Sequence, residues 1–170
     1  MSRIEQAIHY VIHSTRPDEL GRTKLAKVLF FADLDAYRRT GKPITEATYE
    51  KRPHGPMPRE LYDVLGRLKI SDKIAERHAD HYGRTQHQFW ALTEPDLDKL
   101  TAHDVATLSG YTREICENYT ATDISDLSHN DAWKFARLGE EIPFAAFLVA
   151  SGAGEPTDDE LDCIEAVLGA

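Results

Sequence analysis

Histidine, serine and carboxylate side chains cluster at several points in this chain where their spacing raises the question of chemistry. His78, Asp80, His81 and His87 bring three imidazoles and a carboxylate into one short stretch, the donor types of a zinc or manganese site and, through a metal-bound water, of a small metal-dependent hydrolase. The stretch alternates like a strand, which places His78 and Asp80 on one face and His81 on the other, so His87 would have to complete the set from across a turn. A polar, solvated hairpin accounts for the pattern, and we assign no metal to it. His103-Asp104 has the residue types of a phosphohydrolase dyad but no companion ligand at a supporting spacing, and an acidic residue in the first turn of a helix is explained by the macrodipole. Ser128-His129 near Asp131 contains triad residue types; adjacent residues in a helix do not face each other, no G-x-S-x-G elbow is present, and Ser128 reads as a cap. Gly152-Ala153-Gly154 follows a helical pattern rather than a strand, so it is no dinucleotide fingerprint. Cys116 and Cys163 stand apart with no C-x-x-C spacing, which predicts neither a disulfide framework nor a cysteine zinc site and fits a reducing compartment. No catalytic residue and no cofactor emerge, and the chain reads as a binding protein rather than an enzyme.

The segment best suited to recognition is Tyr49 to Pro56, with Lys51, Arg52, His54 and Gly55 inside it and Tyr62 following on the next helix. Prolines at 53, 56 and 58 remove backbone donors and fix φ, which predicts a stiff, extended loop between a strand and a helix. A stiff loop carrying charged and aromatic side chains has little conformational entropy to lose on meeting a partner. The alternative, that Gly55-Pro56 only turns the chain, stands beside this reading. Lys51 and Arg52 are expected to be exposed and dispensable for folding. Trp133, four residues after His129, is expected to be largely buried with its indole N–H paired.

These residues must be positioned by a mostly α-helical α+β domain of about seven helices around a small antiparallel sheet. Ser2 and Glu5 form a capping box before Ile4, Ala7, Ile8, Val11 and Ile12, and Pro17-Asp18 closes that helix. A second helix runs from about Thr23 to Thr40, stopped by Gly41. Ile44 to Lys51 reads as a strand, and Pro58 as the first residue of a helix with Leu61, Tyr62, Leu65 and Leu68. Ile74 to His81 and Gln86 to Leu92 flank a turn, with Phe89 facing one way and Trp90 the other. One long helix near Val105 to Tyr119, one or two short ones between Asp123 and Leu138, an apolar buried one at Pro143 to Ala150 and a last one capped by Thr157 and Glu160 complete the chain.

A length of 170 residues, 41% hydrophobic and 29% charged, predicts a single folded domain. Without an apolar signal core or a long apolar run, the expected setting is the cytoplasm, away from the membrane. A net charge of −9 argues against a protein whose main task is gripping phosphate backbones. Basic residues crowd the first third nonetheless, and a helix-rich domain with a hairpin could serve as a winged-helix-like nucleic-acid-binding regulator. The uneven charge is a candidate recognition field, though the solvated faces of a monomer or a homodimer account for it more simply.

Lys24 to Ala32, Gly41-Lys42-Pro43-Ile44, Tyr49 to Leu65 with His54-Gly55-Pro56 and Leu61-Tyr62, and Leu127-Ser128-His129 with Trp133 and Glu141-Ile142-Pro143 occur in that order. Together they resemble the Panacea-domain (SocA-like) antitoxin family, from about Thr23 to Ala150. The resemblance implies an antitoxin that neutralises a cognate protein toxin, by direct contact or, as in the SocA type, as an adapter presenting its toxin to a Clp-type protease. It implies Ser128, His129 and Trp133 as a structural motif and brings no catalytic set. Some relatives carry an added N-terminal DNA-binding region; the absence of one here argues against control of its own promoter.

Overall fold

The computed structural model describes residues 1–81 and 83–150. Among them are seven helices and two separate two-stranded antiparallel sheets, a mostly helical α+β arrangement. Helix α1 (Arg3–His13) begins with the Ser2/Glu5 capping box and buries Ile4, Ala7, Ile8, Val11 and Ile12. Helix α2 spans Pro17–Thr40 and is broken at Gly21, whose φ of 64° only glycine adopts readily. Pro17 opens this helix rather than merely ending the previous one, because a first-turn residue needs no backbone donor. Gly41, at φ 73°, ends it in the left-handed conformation.

Beyond Gly21, α2 is the central element and packs against helices and strands from both halves of the chain. It buries Leu25, Ala26, Val28, Leu29, Phe30, Ala32 and Ala36, and with them the charged Lys27 and Asp33. A helix covered on nearly all sides has no polar face, which explains why its apolar residues do not form one stripe.

Strands β1 (Tyr49–Arg52) and β2 (Gly55–Pro58) pair in a tight hairpin, with Tyr49 opposite Pro58 and Lys51 opposite Pro56. The proline-rich run is therefore a strand, not the unpaired loop expected from its composition. The backbone explains why: the Lys51 N–H donates to Glu140 O, and Tyr49 O accepts from the Ile142 N–H, so both residues direct their polar groups away from β2. Their partners, Pro56 and Pro58, thus occupy positions where the ladder asks for no donor. Pro53 and His54 make the turn, and Gly55 leaves it at φ 101°.

Helix α3 (Leu61–Ile70) starts three residues later than the sequence predicts, since Pro58 belongs to β2. Strands β3 (Ile74–His81) and β4 (Arg84–Ala91) form the second sheet, which the Ile44 segment does not join. Phe89 is buried and Trp90 is half-buried. Helices α4 (Ala102–Asn118), α5 (Ala121–Leu127), α6 (Asp131–Phe135) and α7 (Phe144–Ala150) follow. Phe30 of α2 meets Tyr49 and Phe147 edge to face, at centroid separations of 5.6 and 4.8 Å, which fastens β1 and α7 to the core. The helix expected from Thr157 and Glu160, and Cys163, lie outside the described residues. Among the described residues no helix is long and apolar enough to cross a membrane.

Candidate functional site

Three distant stretches of chain converge on the β1–β2 turn. Trp133 of α6 donates its indole N–H to Arg52 O at 3.1 Å, Ser125 of α5 donates its hydroxyl to His54 O at 2.8 Å, and Lys27 of α2 donates to Pro56 O at 2.7 Å. Each support comes from a side chain and each acceptor is a backbone carbonyl, so the turn is held in shape whatever side chains it displays. The supports are themselves fixed. Trp133 stacks on His129 with ring centroids 3.7 Å apart and lies under the Lys51 ammonium, 4.3 Å from the ring centroid. Lys51 in turn donates to Lys134 O at 3.2 Å and Ala136 O at 3.0 Å. Ser128, the C-cap of α5, donates to Ser125 O at 2.6 Å and packs against Gly55. A Cβ at Gly55 would collide with the Ser128 hydroxyl and come within 2.6 Å of Lys27 Nζ, so the close approach requires glycine as much as the positive φ does.

Beside the turn lies an open cleft of about 870 Å³ between the start of α2, the β4 end of the second hairpin and the start of α5. A smaller cavity of about 200 Å³ adjoins it, with Lys27, Gly55, Met57 and Tyr62 in its wall. Arg22, Thr23, Pro53 and His54 line both.

The predicted recognition residues divide between surface and interior. Arg52, His54 and Tyr62 are exposed, all three in the wall of the smaller cavity and His54 in that of the cleft as well, and Lys51 is half-buried beside Trp133. Gly55 and Pro56 are buried supports of the turn. Tyr49 is 1% exposed, with its hydroxyl donating to Asp33 at 2.9 Å, so it holds β1 on α2 and does not reach the surface. Lys51 also departs from expectation: it braces Trp133 and two carbonyls. Trp133 has its N–H paired but is half-buried rather than enclosed.

Two charged groups inside α2 have no counterpart in the sequence reading. Asp33 is fully buried and accepts from the Thr45 amide at 2.9 Å, from the Thr45 hydroxyl and from Tyr49; burial still holds its carboxyl up at about 6. Lys27 is 1% exposed, and burial brings its ammonium down to about 7. Ser125 was also missed, having no neighbours that mark it. The signal for Lys27 and Asp33 was weak for a physical reason: on a helix buried all round, polar residues look like a solvent face.

The hairpin histidines form a different cluster from the expected one. His78 pairs directly with His87 across the ladder, and the third group is Glu76, two residues from His78 on the same face; the three can bring ligand atoms within 4.8 Å of one another. Glu76 is already engaged by Arg22 at 2.6 Å, Lys69 at 2.5 Å and His87 at 2.9 Å. Its burial raises its pKa, but the bonds from Lys69 and Arg22 outweigh that and hold it down to about 2. A divalent cation would have to approach between two fixed positive charges. The cluster therefore suits an ion-pair node joining α2, α3 and β3–β4 better than a metal centre. His103 and Asp104 sit at the start of α4, where Asp104 completes a capping box with Thr101 and pairs with Arg3 at 2.9 Å.

No curated protein and no solved structure matches the chain. The family model described as "Antitoxin SocA-like, Panacea domain" matches residues 25–134, a stretch that begins in α2, contains the turn and its three supports and ends one residue past Trp133. The chain belongs to the SocA-like antitoxins of the Panacea domain.

Proposed function

We propose that this antitoxin neutralises a cognate protein toxin by direct contact, through the β1–β2 turn and the adjoining cleft, and that it does so by binding and not by catalysis. The observation that carries this reading is the threefold backbone support of the turn: a surface already fixed in shape loses little freedom when it docks. Arg52, His54 and Tyr62 are exposed around it, and arginine and tyrosine are the side chains that most often anchor protein interfaces. The protein's charge of −9 speaks against the nucleic-acid-binding alternative.

The test is rescue of cells expressing the toxin encoded beside this chain. The wild-type chain is expected to restore growth and to co-purify with the toxin. The Arg52→Ala/His54→Ala/Tyr62→Ala variant, folded as judged by an unchanged melting temperature, is expected to lose at least tenfold in affinity. Rescue requiring a functional Clp-type protease, with no stable complex in its absence, would replace direct neutralisation by the adapter mode.

A further inference from the structure

Of the lysines and arginines in the wall of the smaller cavity, Lys27 alone has no carboxylate partner among the described residues. Arg22 is paired with Glu76 at 2.6 Å and Arg52 with Glu50. Lys27 has three N–H bonds, one of which meets Pro56 O at 2.7 Å, and among the described residues no carboxylate lies within ion-pair distance of it. It is nevertheless 1% exposed. An isolated buried ammonium opposes folding, and a methionine would fill the same space without that cost. The glycine at 55 lets its backbone lie close against the ammonium, since a Cβ there would come within 2.6 Å of Nζ.

The cavity beside Lys27 is lined by the apolar Ala26 and Met57 and by Tyr62 together with Arg22, Arg52 and His54, and none of the described residues lining it is acidic. A lining that mixes basic side chains with apolar ones fits an anion carried on a short methylene stem better than a bare inorganic ion. We propose that this cavity is a carboxylate subsite, which receives an acidic side chain of a partner protein and pairs it with the Lys27 ammonium. This rests on the antitoxin reading for the identity of the partner as the toxin, but not for the chemistry of the subsite. Burial holds Lys27 at about 7 in the free protein, so the arrival of a carboxylate would draw a proton onto it.

The experiment uses the full chain with 13C-labelled lysine and follows the titration of the Lys27 side chain by NMR, with glutarate as the stemmed carboxylate and inorganic phosphate as the bare anion. Glutarate is expected to raise the Lys27 midpoint by a unit or more, phosphate to leave it in place, and Lys27→Met to abolish glutarate binding. Lys27→Gln replaces Lys27→Met if the latter does not fold. An unmoved midpoint at saturating glutarate, an equal response to phosphate, or undiminished glutarate binding by the variant would overturn the subsite. Rescue separates the two readings. If wild type and Lys27→Met both protect cells fully, the toxin does not use this subsite and the antitoxin reading survives. If wild type gives no protection, that reading falls, while the glutarate titration still decides the subsite.

Discussion

At the scale of single residues, Lys27 and Gly55 lead to opposite expectations for stability. The Lys27 pKa is lowered from 10.5 to about 7, so between those values the folded chain holds fewer protons than the unfolded one. Stability should therefore rise as pH climbs from about 7 towards 10.5, by on the order of 5 kcal/mol for the full shift. Lys27→Met should remove that rise and melt higher than wild type at pH 7; denaturant midpoints measured from pH 6 to 10 for both proteins check it, and parallel curves would refute it. Gly55→Ala has no comparable benefit. It places a Cβ against Lys27 and Ser128 at a φ of 101°, and a loss on the order of 2 kcal/mol or more is expected in the same unfolding assay.

Between elements, the side chains that join them can be weighed in the same way. Glu76 connects β3 to α2, α3 and β4, and its carboxyl is depressed from 4.5 to about 2. The stability it contributes is present above about 4.5 and lost as pH falls towards 2. Glu76→Gln should lower stability at pH 7 by on the order of 2 kcal/mol and flatten the acid limb of the unfolding curve. Trp133→Ala removes the bond to Arg52 O, the stack on His129 and the contact with Lys51, and because the ring is half-buried the loss should be about 2 kcal/mol rather than that of a core tryptophan. Calorimetry would measure both. Legibility in the sequence follows the same boundary between local and non-local causes. The α1 capping box, the Gly41 stop and the second hairpin were readable because their determinants lie within a few residues. The β1–β2 pairing was not, because what makes Pro56 and Pro58 acceptable is the direction of backbone groups bonded to residues 140 and 142. Alternation alone places Glu76 beside His78, but the metal reading looked only to Asp80 on that face, and it takes the hairpin register to show that His87 stands opposite His78. Around the turn, Arg52, His54 and Tyr62 are exposed as their types suggest, while Tyr49 is buried because its hydroxyl is held by Asp33, which nothing local reveals.

Across the whole molecule, α2 is where the fold and the proposed site coincide. It packs against most other elements and also supplies Lys27 to the cavity. Its amides from Leu25 to Ala36 should exchange hydrogen only through global unfolding, whereas those near the turn of β3–β4 should exchange by local opening at far lower free energy. Native-state exchange with increasing denaturant measures this, and α2 amides released before the second hairpin would contradict it. The threefold support of the β1–β2 turn also sets a timetable for synthesis. The turn itself emerges from the ribosome early, but Ser125 lies 71 residues beyond His54, and Trp133 lies 81 residues beyond Arg52. A nascent or prematurely terminated chain can build the hairpin with the Lys27 support alone, lacking the other two. Translation must pass Trp133 before all three supports are in place, so on the proposed reading a chain stopped before that residue would offer its partner a looser turn.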